Sequence, residues 1–211
     1  MSPPIGAEAL RDALVEIGRR QDARAWVPAT AGNLSVRHHD PSQVWITASG
    51  THKGRLGRDD ILLVDLNGEL VSAAPGRRPS AETSLHLAVY RSVPEAQACL
   101  HVHTVANTLV HRLGGEDGLE LPPLELVKAF GIWEAAPEVS VPVFPNLLRV
   151  PDIAGLVETR FGHAPPELPG FLIRDHGLTA WGADLERADH ALEAFEFLFR
   201  AKIELARLSL D

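Results

Sequence analysis

The chain has 211 residues, of which 45% are hydrophobic and 23% are charged, and this composition is typical of a soluble globular domain. Its 20 Lys and Arg against 28 Asp and Glu give a formal charge of −8, which argues against nucleic-acid and anionic-membrane partners because both need a basic face. The single cysteine, Cys99, excludes an intrachain disulfide, and the lack of a signal-peptide pattern and of any apolar run of about 18 residues predicts one cytoplasmic domain over residues 1–211.

The first part of the chain predicts one helix followed by short strands. Apolar residues recur at steps of three and four between residues 9 and 17, which is the spacing of an amphipathic helix. Short β-branched runs at residues 34–37, 44–47 and 61–66 predict strands, and the Asn-Gly pair at 67–68 is a strong hairpin turn signal. Consecutive hairpins indicate antiparallel pairing rather than a series of parallel βαβ units.

The second part of the chain predicts helices alternating with strands. Ser80 is the expected N-cap of a helix, and residues 98–103 are expected to form a strand before a helix over 105–112. Residues 171–181 predict a further hairpin, and a long amphipathic helix is expected from Asp184. Together the elements predict an α/β fold with a single domain, in which helices flank both faces of a mostly antiparallel central sheet.

The sequence His101-Val102-His103 is the clearest candidate for chemistry. Side chains alternate along a strand, so both imidazoles project to one face and could chelate one divalent cation, for which zinc is suitable. Two polar residues at the exposed end of a strand would give the same pattern. His176, in a tight turn beside Gly177, is the strongest candidate for a third ligand, although a histidine tolerated in a turn is the simpler interpretation. The other histidines are weaker candidates in loop or helix-surface context (His38, His39, His52, His111) or are assigned to surfaces (His86, His163, His190).

Two acidic residues are candidates for proton transfer. Glu82 lies in the first turn of its predicted helix, where complementing the helix dipole is a sufficient reason for an acid. Glu125 is bracketed by apolar residues, and the simpler interpretation is the polar stripe of an amphipathic helix. From the pattern alone, neither acid is assigned a catalytic role.

Three turns rich in small residues could hold a phosphate. They lie at residues 31–33, 48–51 and 79–80, and Lys53 closely follows the second. Backbone amides and hydroxyls at such turns can cradle an anion, and the helix after Ser80 would point its positive end at it. Each turn alone is ordinary, so the argument rests on their coexistence.

Taken in order, these motifs resemble those of the class II aldolase/adducin family. The resembling segments are GNLS (32–35), ITASG (46–50), SAE (80–82), HVH (101–103) and HG (176–177). The resemblance extends from about residue 10 to the final helix and implies the three-layer αβα fold of that family. Within the family, residues 51–54 and 125–128 are most similar to a sugar-phosphate dehydratase of methionine salvage.

The resemblance also implies roles for individual residues and an assembly. It implies one zinc ion per subunit and a homotetramer with active sites near subunit boundaries. The implied zinc ligands are His101, His103 and His176. The implied substrate-binding residues are Asn33, Ser49, Gly50, Lys53 and Ser80, and the implied catalytic acids are Glu125 and Glu82.

The implied activity is that of a zinc-dependent hydro-lyase acting on 5-methylthioribulose 1-phosphate. A carboxylate would take the C3 proton, zinc would stabilise the enediolate, and loss of the C4 hydroxyl would give 2,3-diketo-5-methylthiopentyl 1-phosphate. A zinc aldolase or epimerase of the fuculose- or ribulose-phosphate type would share the metal ligands, although Ala81, where the aldolases tend to have a second serine, disfavours an aldolase. A zinc hydrolase would need no phosphate, and an adducin-like scaffold would bind no metal.

Overall fold

One mixed sheet runs through residues 6–209, the part of the chain that the computed structural model describes. Its nine strands there are β1 (Asn33–Arg37), β2 (Gln43–Thr47), β3 (Ile61–Asp65), β4 (Leu70–Ser72), β5 (Ala98–Val102), β6 (Gly118–Glu120), β7 (Ser140–Phe144), β8 (Gly170–Ile173) and β9 (Gly177–Gly182). Their order across the sheet is β4-β3-β2-β1-β5-β9-β8-β7-β6, and only β7 and β8 pair in parallel. The predicted, mostly antiparallel sheet is therefore confirmed.

Helices cover both faces of the sheet. They are α1 (Ala7–Ala23), α2 (Thr83–Ser92), α3 (Val105–Leu109), α4 (Val150–His163) and α5 (Leu185–Leu208). Leu14 of α1 and Phe195 of α5 share one apolar cluster with Leu100 of β5, whereas Leu85 of α2 and Val157 of α4 share a second cluster. These three layers confirm the predicted α/β class. Among the described residues, no helix has the length and apolar character needed to cross a bilayer.

The start of α2 differs from the prediction. Ser80 was the expected N-cap, but α2 begins at Thr83. The amides of Thr83 and Leu85 bond to carbonyls three residues back, so a tighter turn precedes the regular helix. The Ser80 hydroxyl accepts the amide of Glu82 at 3.3 Å inside this turn. The predicted N-cap at Ser80 was therefore wrong, because the Ser80 hydroxyl closes the turn that precedes α2 instead of capping α2 itself.

The central strands bring distant motifs to one edge of the sheet. In the register, Asn33 of β1 is opposite His101 of β5, and His101 is in turn opposite Thr179 of β9. The β8–β9 turn also needs its glycine, since a Cβ on Gly177 would lie 2.4 Å from the carbonyl oxygen of Val102. Because β1, β5 and β9 are adjacent in the sheet, the motifs GNLS (32–35), HVH (101–103) and HG (176–177) lie close together.

Candidate metal centre

Four side chains with ligand atoms converge at this edge of the sheet. Glu82 immediately precedes α2, His101 lies in β5, His103 follows β5, and His176 lies in the β8–β9 turn. One ligand atom from each lies within 4.8 Å of the others. Glu82 Oε1 is 3.0 Å from His176 Nε2, 3.7 Å from His101 Nε2 and 3.9 Å from His103 Nε2. The structure thus brings together the three predicted histidines and one of the two predicted acids.

Two neighbouring polar groups orient the imidazoles. His176 Nδ1 lies 3.4 Å from the amide oxygen of Asn146, which accepts a hydrogen bond, so a tautomer with its proton on Nδ1 would present the Nε2 lone pair to a cation at the cluster. His101 Nδ1 lies 3.0 Å from the hydroxyl of Thr179, which can accept the Nδ1 proton in the same way. Neither Asn146 nor Thr179 was predicted, because both reach their histidines only through the strand pairing.

The donor set fits a divalent cation. Nε2 of His103 is buried and has no hydrogen-bond partner among the described residues, and such an atom needs an explanation. A cation shared with the other three side chains would supply its partner. Three imidazole nitrogens and one carboxylate are ligand types that suit zinc.

The protonation states favour the same conclusion. Burial lowers the pKa of His101 well below its usual range, and burial together with the nearby His176 lowers the pKa of His103 to about 4. Burial alone would raise the pKa of Glu82, but a hydrogen bond from His176, with its proton on Nε2 in the metal-free cluster, outweighs it together with the nearby His101 and the Asn33 amide, and the pKa lies below the usual range. At neutral pH His101 and His103 are therefore neutral and Glu82 is a carboxylate, and these are the protonation states that metal binding requires.

The second predicted acid lies elsewhere in the chain. Glu125 begins a 3-10 turn over Glu125–Phe130, and its side chain is 84% exposed. Lys128 Nζ lies 2.7 Å from its carboxylate, and the two residues line a separate cavity together with Trp133. Within the described part of one chain, Glu125 is not brought to the histidine cluster.

The three predicted phosphate turns are connected to one another. The Ser49 amide donates to the Arg78 carbonyl at 3.0 Å, which joins the second turn to the segment before Ser80. Lys53 Nζ donates to the carbonyls of Thr30 at 3.0 Å and Thr51 at 2.8 Å, which joins the first turn to the second. Burial lowers the pKa of Lys53 to about 8. Lys53 therefore braces the turns, and a contact from it to phosphate stays a prediction.

His86 is buried, whereas the sequence predicts it at a helix surface. Its side chain is fully buried, with Nδ1 2.7 Å from the Ser35 hydroxyl and Nε2 2.8 Å from the Asn33 amide oxygen. The assignment was wrong because α2 packs against both the sheet and α4, so more than one face of the helix is covered. The uninterrupted run LHLAVY (85–90) was the signal that could have indicated this.

Burial of His86 has a consequence for stability in acid. Burial lowers its pKa to about 4, whereas an unfolded histidine titrates near 6.5, so the unfolded chain takes up the proton first as the pH falls. We expect the metal-free protein to lose up to about 3 kcal/mol from this residue between pH 6.5 and 4. Urea unfolding at several pH values in this range should show that the free energy of unfolding falls less steeply with pH for His86→Gln than for the unsubstituted protein. An equal pH dependence of the two proteins would contradict the lowered pKa of His86.

An open cavity of about 570 Å³ adjoins the cluster. His103 and His176 contribute to its lining, and apolar side chains of Pro28, Val105 and Leu109 form part of the remaining wall. Val105 is 78% exposed and Leu109 is 45% exposed, which is unusual for aliphatic side chains so close to a polar cluster. The cavity therefore offers one polar end and one apolar wall to a ligand.

Comparison with known proteins places these features in a family context. A sequence profile described as Class II Aldolase and Adducin N-terminal domain matches residues 12–203. The chain is 48% identical over 191 residues to a methylthioribulose-1-phosphate dehydratase of Microcystis aeruginosa, covering 90% of this chain and 93% of the relative. It is 44% identical over 184 residues to a protein of the same name from Leptospira biflexa, covering 84% and 88%. The solved L-fuculose-1-phosphate aldolase of Thermus thermophilus superimposes with a TM-score of 0.75 at 26% identity, covering 97% of this chain and 98% of that one.

Proposed function

The chain belongs to the class II aldolase and adducin family, and on that basis we propose that it is a hydro-lyase, a methylthioribulose-1-phosphate dehydratase. It converts 5-methylthioribulose 1-phosphate to 2,3-diketo-5-methylthiopentyl 1-phosphate and water, a step of methionine salvage. The observation that carries this proposal is the cluster of Glu82 with three histidines beside a partly apolar cavity. The proposal includes one domain over residues 1–211 and a cytoplasmic location.

His101, His103 and His176 hold one zinc ion per subunit in this proposal, with Glu82 beside them. When bound, zinc supplies Lewis-acid polarisation of the substrate oxygens. The side chains keep this arrangement because Thr179 and Asn146 orient two of the imidazoles, as their distances of 3.0 Å and 3.4 Å support.

Two carboxylates share the proton transfers. Glu125 takes the proton from C3 of the substrate and, now protonated, gives a proton to the C4 hydroxyl, which leaves as water; Glu82 would have to take up a proton before it could serve as this acid, because its pKa lies below the usual range. Tautomerisation then gives the diketone. Glu82 lies beside the three histidines of its own chain. Glu125 is exposed and pairs with Lys128, outside the histidine cluster.

The position of Glu125 supports an assembly in which subunits complete one another's sites. We infer that Glu125 of one subunit reaches the cluster of a neighbour in a homotetramer. The exposed apolar side chains of Trp133 and Leu124 lie in the same cavity as Glu125, and they favour a protein contact on this surface.

The two ends of the substrate match two parts of the site. The turns containing Asn33, Ser49, Gly50 and Ser80 would receive the phosphate, with the Ser49 and Ser80 hydroxyls among the donors and Lys53 bracing the turns. Pro28, Val105 and Leu109 offer an apolar wall to the methylthio group. A substrate hydroxylated at this end would leave that wall without an apolar partner.

A proton NMR time course tests the proposed reaction. The zinc-loaded protein should convert 5-methylthioribulose 1-phosphate to the diketone with loss of the C3 and C4 proton signals. Fragmentation into two smaller carbonyl compounds would instead identify an aldolase. An unchanged spectrum, with zinc bound, would reject this substrate.

The apolar wall gives a prediction on specificity. Leu109→Asn should lower kcat/KM for the methylthio substrate about fivefold, since partial burial of a leucine against an apolar group contributes about 1 kcal/mol. Steady-state assays should be compared with Leu205→Asn, because Leu205 is similarly exposed, at 46%, on α5. Equal effects of the two substitutions would show that Leu109 does not contact the substrate.

A further inference from the structure

A buried chain of hydrogen bonds leads from the interior to Glu82. It begins at the Tyr90 hydroxyl, 2.8 Å from the Ser35 hydroxyl, which is 2.7 Å from His86 Nδ1. His86 Nε2 is 2.8 Å from the Asn33 amide oxygen, and the Asn33 amide nitrogen donates to Glu82 Oε2. Every member except Glu82 is less than 4% exposed, so water does not compete for these bonds.

The direction of each bond is determined from the Glu82 end. A carboxylate only accepts, so the amide nitrogen of Asn33 faces Glu82 and the amide oxygen faces His86. An amide oxygen also only accepts, so His86 carries its proton on Nε2 and leaves Nδ1 as an acceptor. Ser35 therefore donates to His86 Nδ1 at 2.7 Å rather than to the more distant Cys99 carbonyl at 3.3 Å, and its oxygen accepts from Tyr90.

From this directed chain we propose that His86 is a positioning residue for Glu82. Its Nε2–H holds the Asn33 amide in the one orientation that directs the amide nitrogen to Glu82 Oε2. Glu82 Oε1 then remains directed at the histidine cluster, 3.0 Å from His176 Nε2. The inference deepens the proposed function, on which its kinetic part rests.

Neutral His86 is required for this arrangement. Burial lowers the pKa of His86 to about 4, so the imidazole is neutral throughout the neutral range. A neutral ring has one donor and one acceptor, which the Asn33 oxygen and the Ser35 hydroxyl satisfy on opposite sides. If the Nε2 donor is removed, the Asn33 amide oxygen loses its hydrogen bond to His86. The Asn33 amide can then rotate, and Glu82 is no longer held in one orientation.

Two substitutions of similar polarity separate positioning from packing. His86→Gln places an amide donor near the location of Nε2 and should preserve the bond to Asn33, whereas His86→Asn is too short to reach it. In the zinc-loaded protein we expect His86→Asn to lower kcat about 10- to 100-fold with little change in KM, and His86→Gln to stay within about threefold of the unsubstituted protein. Both should bind the same amount of zinc.

The control is a buried polar substitution away from the site. Gln21→Met removes a fully buried amide of α1 that donates to Asp189, so it should destabilise the fold with kcat unchanged. Thermal unfolding of all three variants separates a loss of stability from a loss of kcat. If His86→Asn and His86→Gln lose kcat equally, or if His86→Asn loses none, the positioning role is overturned.

Two further measurements decide the inference independently of turnover. Nitrogen-15 NMR of the metal-free protein should show the proton of His86 on Nε2, and a proton on Nδ1 would overturn the proposal. A crystal structure of metal-free His86→Asn should show Glu82 displaced from Asn33, and an unmoved Glu82 would overturn it as well. If the unsubstituted protein does not dehydrate methylthioribulose 1-phosphate, the proposed function fails, while these two measurements still test the positioning role.

Discussion

The His103→Ala protein should lose its bound zinc and its turnover together. His103 Nε2 is the cluster atom that lacks a hydrogen-bond partner among the described residues, so its loss removes a ligand without breaking an internal bond. We expect zinc affinity to fall by at least about 100-fold, because even residues behind the ligands commonly contribute 10- to 100-fold. Zinc per chain, measured by plasma mass spectrometry after dialysis, and turnover of the same sample give the result.

The control for this substitution is another histidine outside the cluster. His190→Ala removes a 62% exposed side chain of α5 and should retain both zinc and turnover. Metal-free unfolding should be nearly unchanged for both variants, since neither removes an internal hydrogen bond. Zinc content left intact in His103→Ala would exclude His103 from the ligands.

The Glu125→Gln protein should retain its zinc and lose turnover. The carboxylate is 84% exposed and contacts only Lys128 among charged groups of the described chain, so neither the metal centre nor the fold depends on it. Loss of a general base typically costs about 100- to 10,000-fold in rate. Turnover that survives this substitution would transfer the proton-abstracting role to Glu82.

Mixed oligomers test whether Glu125 acts across a subunit boundary. Glu125→Gln and His103→Ala, co-expressed with different tags, should each be inactive alone and recover activity when assembled together. A working site then needs an intact histidine cluster next to an intact Glu125, and random mixing gives roughly one half times one half, or one quarter, of all sites. The absence of recovery would show that each chain uses its own Glu125.

Stability in acid and the Leu109 substitution probe separate parts of the molecule. The acid-dependent loss reports on a buried imidazole beneath the site, and the Leu109→Asn assay reports on the wall of the cavity. The acid-dependent loss is measured on the metal-free protein and therefore does not depend on zinc. Agreement of these two results with those of the His103 and Glu125 substitutions would therefore support the site from independent directions.

Local features of the fold were predictable because they depend on neighbouring residues. The hairpin turn at Asn67-Gly68 and the long helix that begins after Asp184 both follow from short-range backbone and capping preferences. Alternation along β5, continued one residue past its end, was also enough to predict that His101 and His103 share one face, and their ring centroids lie 4.6 Å apart. The later start of α2 was not predictable, since two turn geometries compete over the same three residues.

The surroundings of the site depended on contacts between residues that are far apart in sequence. Thr179 meets His101 only because β9 pairs with β5, and His86 is enclosed only because α2 has both the sheet and α4 beside it. The apolar run at residues 85–90 could indicate that His86 is buried, but no local pattern names the elements that cover it, because the free energy that selects them comes from burying surfaces of separate elements against one another. The sequence by itself therefore determined which residue types are available for the chemistry. The tertiary structure decided their distances, tautomers and burial, and it separated Glu125 from the cluster.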